Sequence, residues 1–96
     1  MEQVNHPSHY KKEGRKECIE EMIELYGRNA TAVFCLTNAY KYLYRAGEKE
    51  NNSEQQDVEK ARWYFNYVNK HLSSCVRYKG VLRLYNDIKR ALKEYD

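Results

Sequence analysis

Phe34-Cys35-Leu36-Thr37-Asn38-Ala39-Tyr40-Lys41-Tyr42-Leu43-Tyr44-Arg45-Ala46-Gly47-Glu48-Lys49 is the stretch around which the chain is organised. At helical spacing Leu36, Ala39, Leu43 and Ala46 share one face, while Asn38, Lys41 and Arg45, three and four residues apart, share another. One helix therefore carries both core and chemistry. The Asn, Lys and Arg face, with Tyr42 and Tyr44 beside it, offers donors suited to holding an anion such as phosphate next to a flat ring. The plainer reading of such a face is a solvated surface, since Lys and Arg are mostly exposed. Asn38 in a helix interior weighs against it, as do Ala39, Ala46 and Gly47, which let another group come close.

On the N-terminal side, Cys18, Ile19, Met22, Ile23 and Tyr26 recur at amphipathic spacing between Arg15 and Tyr26, and Gly27 stops this first helix. Its other face carries Glu17, Glu20, Glu21 and Glu24. The second helix starts near Asn29 or Thr31, either of which can cap it, and runs to Arg45-Ala46-Gly47. After a polar linker from Glu48 to Asn52, Ser53 and Gln56 read as the capping box of a third helix. There Val58, Ala61, Phe65, Val68, Leu72 and Cys75 repeat in steps of three and four, a heptad seam that packs against another helix. One position behind it runs a second stripe, Asp57, Lys60, Tyr64, Tyr67 and His71, charged at its start and aromatic further on. A break is expected between Ser73 and Gly80. The last helix then carries Val81, Tyr85, Ile88, Leu92 and Tyr95, with Lys89, Arg90 and Lys93 complementing its dipole.

Residues 1–14 contain Pro7, Gly14 and few core-type residues, and read as an extended arm centred on Asn5-His6-Pro7-Ser8-His9-Tyr10. No strand alternation or internal repeat stands out. The expected architecture is all-α: a single domain over 1–96, built as a small bundle of about four helices with an N-terminal arm and completed by self-association.

Composition agrees with that class. Hydrophobic residues at 42%, charged residues at 32%, one proline and four glycines fit a soluble helical protein rather than a disordered or all-β one. Ten tyrosines suit an interface or a base-stacking site better than a dry core. A formal charge of +3 is too mild for a nucleic-acid footprint. Cys18, Cys35 and Cys75 are odd in number and widely spaced, which supports neither a disulfide framework nor a zinc knuckle; each falls on an apolar helix face and is expected as a buried reduced thiol. No run approaches membrane-spanning length and the N-terminus has no apolar signal region, so a cytosolic location is expected, that of the host if the chain is viral.

The chain has no Gly-x-x-x-x-Gly-Lys-Ser/Thr and no Gly-rich dinucleotide fingerprint, so phosphate binding has to come from side chains and helix ends. His6-x-x-His9 lacks a neighbouring Glu and reads as a hydrogen-bonding pair rather than a metal site. Trp63, between Arg62 and Tyr64, reads as core or interface before it reads as a base-stacking ring. Glu17-x-x-Glu20 or Glu21-x-x-Glu24, together with Glu54-x-x-Asp57, has the logic of two helices presenting carboxylates to magnesium and a nucleotide, as in all-α pyrophosphatases of the MazG type.

Taken together, Val4-Asn5-His6-Pro7-Ser8-His9-Tyr10, Glu17-Cys18-Ile19-Glu20, Asn38-Ala39-x-Lys41-Tyr42-Leu43-x-Arg45-Ala46-Gly47-x-Lys49 and Asp57-x-x-Lys60-Ala61-x-x-Tyr64 resemble a family of small tailed-phage proteins often labelled nucleotide kinase-like. The likeness covers residues 4 to about 70, taking in the arm of 1–14 and most of a family-like core of 15–75, and leaves the C-terminal segment 76–96 without a counterpart. It implies a phage protein that handles nucleotides without a P-loop and assembles as an oligomer. The nucleotide-binding residues it implies are His6, His9, Tyr10, Asn38, Lys41, Tyr42, Arg45, Lys49, Lys60 and Tyr64, with Lys41, Arg45 and Asp57 in catalytic roles and no resident metal. On this reading Lys41, Arg45 and Lys49 neutralise phosphate charge, Asn38 and the arm histidines orient base or sugar, and Asp57 orients a lysine or a metal. Three functions follow: a nucleoside monophosphate kinase, a non-catalytic nucleotide sponge or binder of a host defence factor, and a magnesium-dependent nucleotide pyrophosphohydrolase.

Overall fold

Gly27 and Gly47 take φ values of 93° and 76°, in the region that disfavours residues with a Cβ, and the chain turns at both. The computed structural model describes residues 17–48 and 53–96. They form α1 (Cys18–Tyr26), α2 (Arg28–Tyr44), α3 (Glu54–His71), a 3-10 turn (Ser73–Arg77) and α4 (Lys79–Lys93). There is no strand among the described residues, and the all-α class is the one expected. The arm, with His6, His9 and Tyr10, and Lys49 in the linker lie outside the described residues. No helix of the described residues is long and apolar enough to cross a membrane.

Gly27 ends α1 by donating its N–H to the Ile23 carbonyl at 2.9 Å, and α2 begins at the very next residue. This corrects the expected cap at Asn29 or Thr31. Because the glycine turns the chain directly from one helix into the next, no side chain caps α2. Thr31 instead sits one turn inside, buried, with its Oγ1 donating back to the Gly27 carbonyl at 2.9 Å. At α3 the Ser53 half of the expected capping box is present, for the Ser53 hydroxyl accepts the Gln56 N–H at 3.0 Å. Gly47 lies so close to the start of α3 that a Cβ there would meet Glu54 Cβ at 3.3 Å.

α2 and α3 make the principal helix pair, with α1 on α2 and α4 against both. The pair is antiparallel, since Arg28 at the start of α2 donates to the His71 carbonyl at the end of α3 at 2.8 Å, while Arg45 at the end of α2 meets Asp57 at the start of α3. The heptad seam is the core: Val58, Ala61, Phe65, Val68, Leu72 and Cys75 are all buried. They face Ala32, Cys35, Leu36, Ala39 and Tyr42 from α2, Ile19 from α1, and Ile88 and Leu92 from α4. Phe65 stacks on Tyr85 with centroids 4.8 Å apart, and Arg62 donates to the Leu92 carbonyl at 3.4 Å, so α4 runs antiparallel to α3. Burying each large aliphatic side chain in this set contributes about 1.5–3 kcal/mol.

Three further expectations are corrected. Cys18 is exposed, as is Tyr26. A helix of nine residues sets a narrow edge on α2, with Ile19 fully inside and Met22 and Ile23 only half so. The expected break between Ser73 and Gly80 is present as the 3-10 turn Ser73–Arg77 and the corner at Tyr78, whose extended backbone (φ −72°, ψ 140°) precedes α4, while Gly80 itself lies in the first turn of that helix. Tyr95 falls past the end of α4 and is exposed rather than on its packed face.

Leu36→Ala should lower unfolding free energy by about 2–5 kcal/mol in urea titration, because it empties a fully enclosed site; Leu25→Ala, at an exposed position, should stay within about 0.5 kcal/mol. Burial pushes the Cys35 thiol up to about 12. Its ordinary value is the lower of the two, so stability tied to Cys35 is complete below pH 9 and falls as pH rises toward 12, when the unfolded chain ionises first. At mildly alkaline pH, alkylation followed by mass spectrometry should modify Cys18 at once, with Cys35 and Cys75 reacting only after denaturation.

Candidate functional site

Arg45 is the residue on which α2 ends, its N–H donating to the Lys41 carbonyl at 3.1 Å. Its guanidinium reaches across to Asp57 in the first turn of α3, with Nε 3.4 Å from Oδ1. A carboxylate is favoured there by the helix dipole as well. The Asp57 side chain is wholly enclosed, whereas that of Arg45 keeps 23% of its surface. The other carboxylate oxygen, Oδ2, is buried without a hydrogen-bond partner. One turn further along α3, Lys60 is also buried.

Tyr42, fully buried on α2, is the centre of this group. The Lys41 ammonium lies 4.4 Å from its ring centroid, the Arg45 guanidinium 4.7 Å and the Lys60 ammonium 5.4 Å. Tyr64 from α3 stacks parallel to it at 6.1 Å, and Phe34 meets Tyr64 edge-on at 5.9 Å. Each cation over a ring gains about 0.5–2 kcal/mol, depending on how far it is desolvated.

Among the described residues, three cations thus lie at one ring and Asp57 is the carboxylate paired with one of them. Among the described residues no carboxylate lies within ion-pair distance of the Lys41 or Lys60 ammonium. Like charges gathered at one ring repel one another, the more so where solvent is excluded. An anionic ligand with several oxygens removes that repulsion and takes the donors, which is the chemistry of phosphate recognition.

Of the residues singled out from the sequence, Lys41, Tyr42, Arg45, Asp57, Lys60 and Tyr64 come together here. Asn38 lies on α2 one turn before Tyr42 and is half-buried. The central place of Tyr42 and the edge contact of Phe34 have no sequence signal apart from the excess of aromatic residues. Three of the acidic residues have contacts within the fold. Glu17 and Glu20 form the capping box of α1, with Glu20 Oε1 accepting the Glu17 N–H at 3.3 Å, and Asp57 holds Arg45. Among the described residues no three of His, Cys, Asp and Glu gather where they could hold a metal ion.

A family model described as a protein of unknown function (DUF3310) matches residues 4–66, and the chain belongs to that family. The matched segment contains α1, α2, and α3 as far as Asn66, so every member of the cluster lies inside it while α4 lies outside. The chain is also similar to the Gene 1.7 protein of Enterobacteria phage T3, at 36% identity over 73 residues, which are 75% of this chain and 45% of that protein. The chain therefore spans less than half the length of this relative. No solved structure matches.

Removing Arg45 takes away the cation paired with the enclosed Asp57 carboxylate. Arg45→Ala should cost about 2–4 kcal/mol in urea unfolding, somewhat below a fully buried pair because the guanidinium is partly exposed. Lys41→Ala, at an exposed position, should fall within about 0.5 kcal/mol.

Proposed function

We propose that this member of a family of unknown function is a phage-encoded protein of the host cytoplasm that binds nucleotides through the cluster around Tyr42, and that the reaction it supports is phosphorylation of a nucleoside monophosphate without a P-loop. The observation that carries the reading is the convergence of Lys41, Arg45 and Lys60 on one ring, with Asp57 paired to one of them. Phosphoryl transfer asks a protein mainly to position two substrates and to neutralise the charge on the group in flight. Lys41, exposed and mobile on its stem, takes the outer phosphate oxygens; Arg45, held by Asp57, offers a fixed fork. Lys60, already desolvated, acts at short range. The unpartnered Asp57 Oδ2 is an acceptor for a ligand hydroxyl. Asn38, Lys49 and the arm residues His6, His9 and Tyr10 belong to the same proposal as further contacts to base, sugar and phosphate. Magnesium accompanies the nucleotide's phosphates and supplies charge neutralisation there.

A second reading, a non-catalytic protein that sequesters nucleotides or engages a host defence factor, draws on a different face. Val33, Thr37, Tyr40 and Tyr44 lie on α2 at steps of four, three and four, and all four are exposed. Tyr40 and Tyr44 stack on each other at 6.3 Å. A stripe of that spacing suits a partner helix, from a second copy or from another protein.

The purified chain, incubated with labelled nucleoside mono- and triphosphates with and without magnesium, should move labelled phosphate between nucleotides. Lys41→Ala should weaken nucleotide binding at least about tenfold by calorimetry, the loss of a charged hydrogen bond. Retention of unchanged nucleotide would favour sequestration, and release of pyrophosphate would favour hydrolysis. Absence of binding to any nucleotide and to inorganic triphosphate would rule the site out.

A further inference from the structure

The second stripe of α3 continues beyond the cluster as a row of rings. Tyr64 stacks on Tyr42, and Trp63 meets Tyr64 edge-on at 5.1 Å. Trp63 in turn stacks on Tyr67 at 5.5 Å and 26°, and Tyr67 lies 4.5 Å from the His71 ring. Trp63, Tyr67 and His71 are four residues apart, so they form a ladder up one side of the helix. In front of that ladder, between α3 and the start of α1, is an open groove of about 330 Å³ whose rim adds Glu17, Asn66 and Lys70.

A ladder whose only task is to shield the core would close over it. This one ends in the open: Trp63 and Tyr67 are half-buried and His71 is exposed. Stacking within one helix is worth only a few tenths of a kcal/mol per pair, so it does not by itself explain three rings in a row beside a groove. The groove combines flat aromatic rings with polar and charged groups in about equal measure, a lining that suits a planar ligand with hydrogen-bonding edges. Asn66 brings a donor and an acceptor together, and Lys70 brings a charge. Burial raises the Tyr67 phenol above its ordinary range, with the neighbouring Cys35, Glu20 and Glu17 acting in the same direction, so at neutral pH its hydroxyl stays a donor.

We infer that this groove is the seat of a planar nitrogen heterocycle, the base of the nucleotide whose phosphates the Tyr42 cluster takes. The inference rests on the function proposed above and specifies its second half. Trp63 and Tyr67 follow Lys60 on α3 by three and seven residues, roughly 5–10 Å along the helix axis. A nucleoside mono- or diphosphate spans such a distance. Phosphate and base are thus read by one helix, its first half cationic and its second half aromatic, and the discrimination between bases falls to Asn66 and Lys70 at the groove's edge. Stacking alone accepts any base, because each has a π-face.

Trp63 is the single tryptophan of the chain, so its fluorescence reports on this groove without a label. The full chain is titrated with the common nucleosides, which carry no phosphate, exciting at the red edge of the tryptophan band. At least one nucleoside should quench or shift the emission saturably. Tyr67→Ala should weaken that binding about fivefold or more, the value of one base-stacking contact. His71→Ala, at an exposed position where folding is not at stake, should weaken it in the same direction. If nucleotides bind by calorimetry while no nucleoside perturbs Trp63, the base seat is wrong and the phosphate cluster stands. If nucleosides perturb Trp63 while inorganic triphosphate does not bind, the base seat stands and the phosphate reading fails. Nucleoside binding that survives both substitutions unchanged overturns the groove as its location.

Discussion

The ion pair between Arg45 and the enclosed carboxylate of Asp57 is the contact on which the rest of the arrangement depends. It joins the last residue of α2 to the first turn of α3 across the Gly47 corner, at the point where the chain reverses. A charge without solvent is costly unless it is answered, so Asp57 fixes where Arg45 must be. With that end set, the 3.6-residue repeat carries the register along both helices, as far as the opposite contact of Arg28 with the end of α3. The seam from Val58 to Cys75 supplies the free energy; the ion pair decides the alignment.

That alignment places two further cations beside the same ring. Lys60 follows Asp57 by one turn and Lys41 precedes Arg45 by one turn, so pairing the middle members brings both ammonium groups to Tyr42. A protein with no need of an anion gains little from this, because the positive charges repel and Lys60 loses its hydration. This clustering is what supports the proposed anion site. The family match covers all of these residues and stops at Asn66, before α4 and the far end of the groove.

Much of this was legible in the residues. Four helices, the Ser53 cap and the seam from Val58 to Cys75 follow from periodicity alone, because burial selects apolar residues at the spacing of the helix. The pairing of Lys41 and Arg45 on one face of α2 follows in the same way. The failures share a cause. Cys18 and Tyr26 sit at core spacing but are exposed, because periodicity names a face without saying how wide the neighbouring helix is.

By itself, then, the sequence determined the helical class, the core stripes and the residue types able to meet a phosphate, all of which are local consequences of spacing and side-chain chemistry. Only the tertiary structure decided that Asp57 pairs with Arg45, that Tyr42 is the enclosed hub of three cations, and that Glu17 and Glu20 cap α1. The physical reason is that a helix fixes neighbours three and four residues apart, whereas the partner of a charge twelve residues away depends on how two helices are laid together.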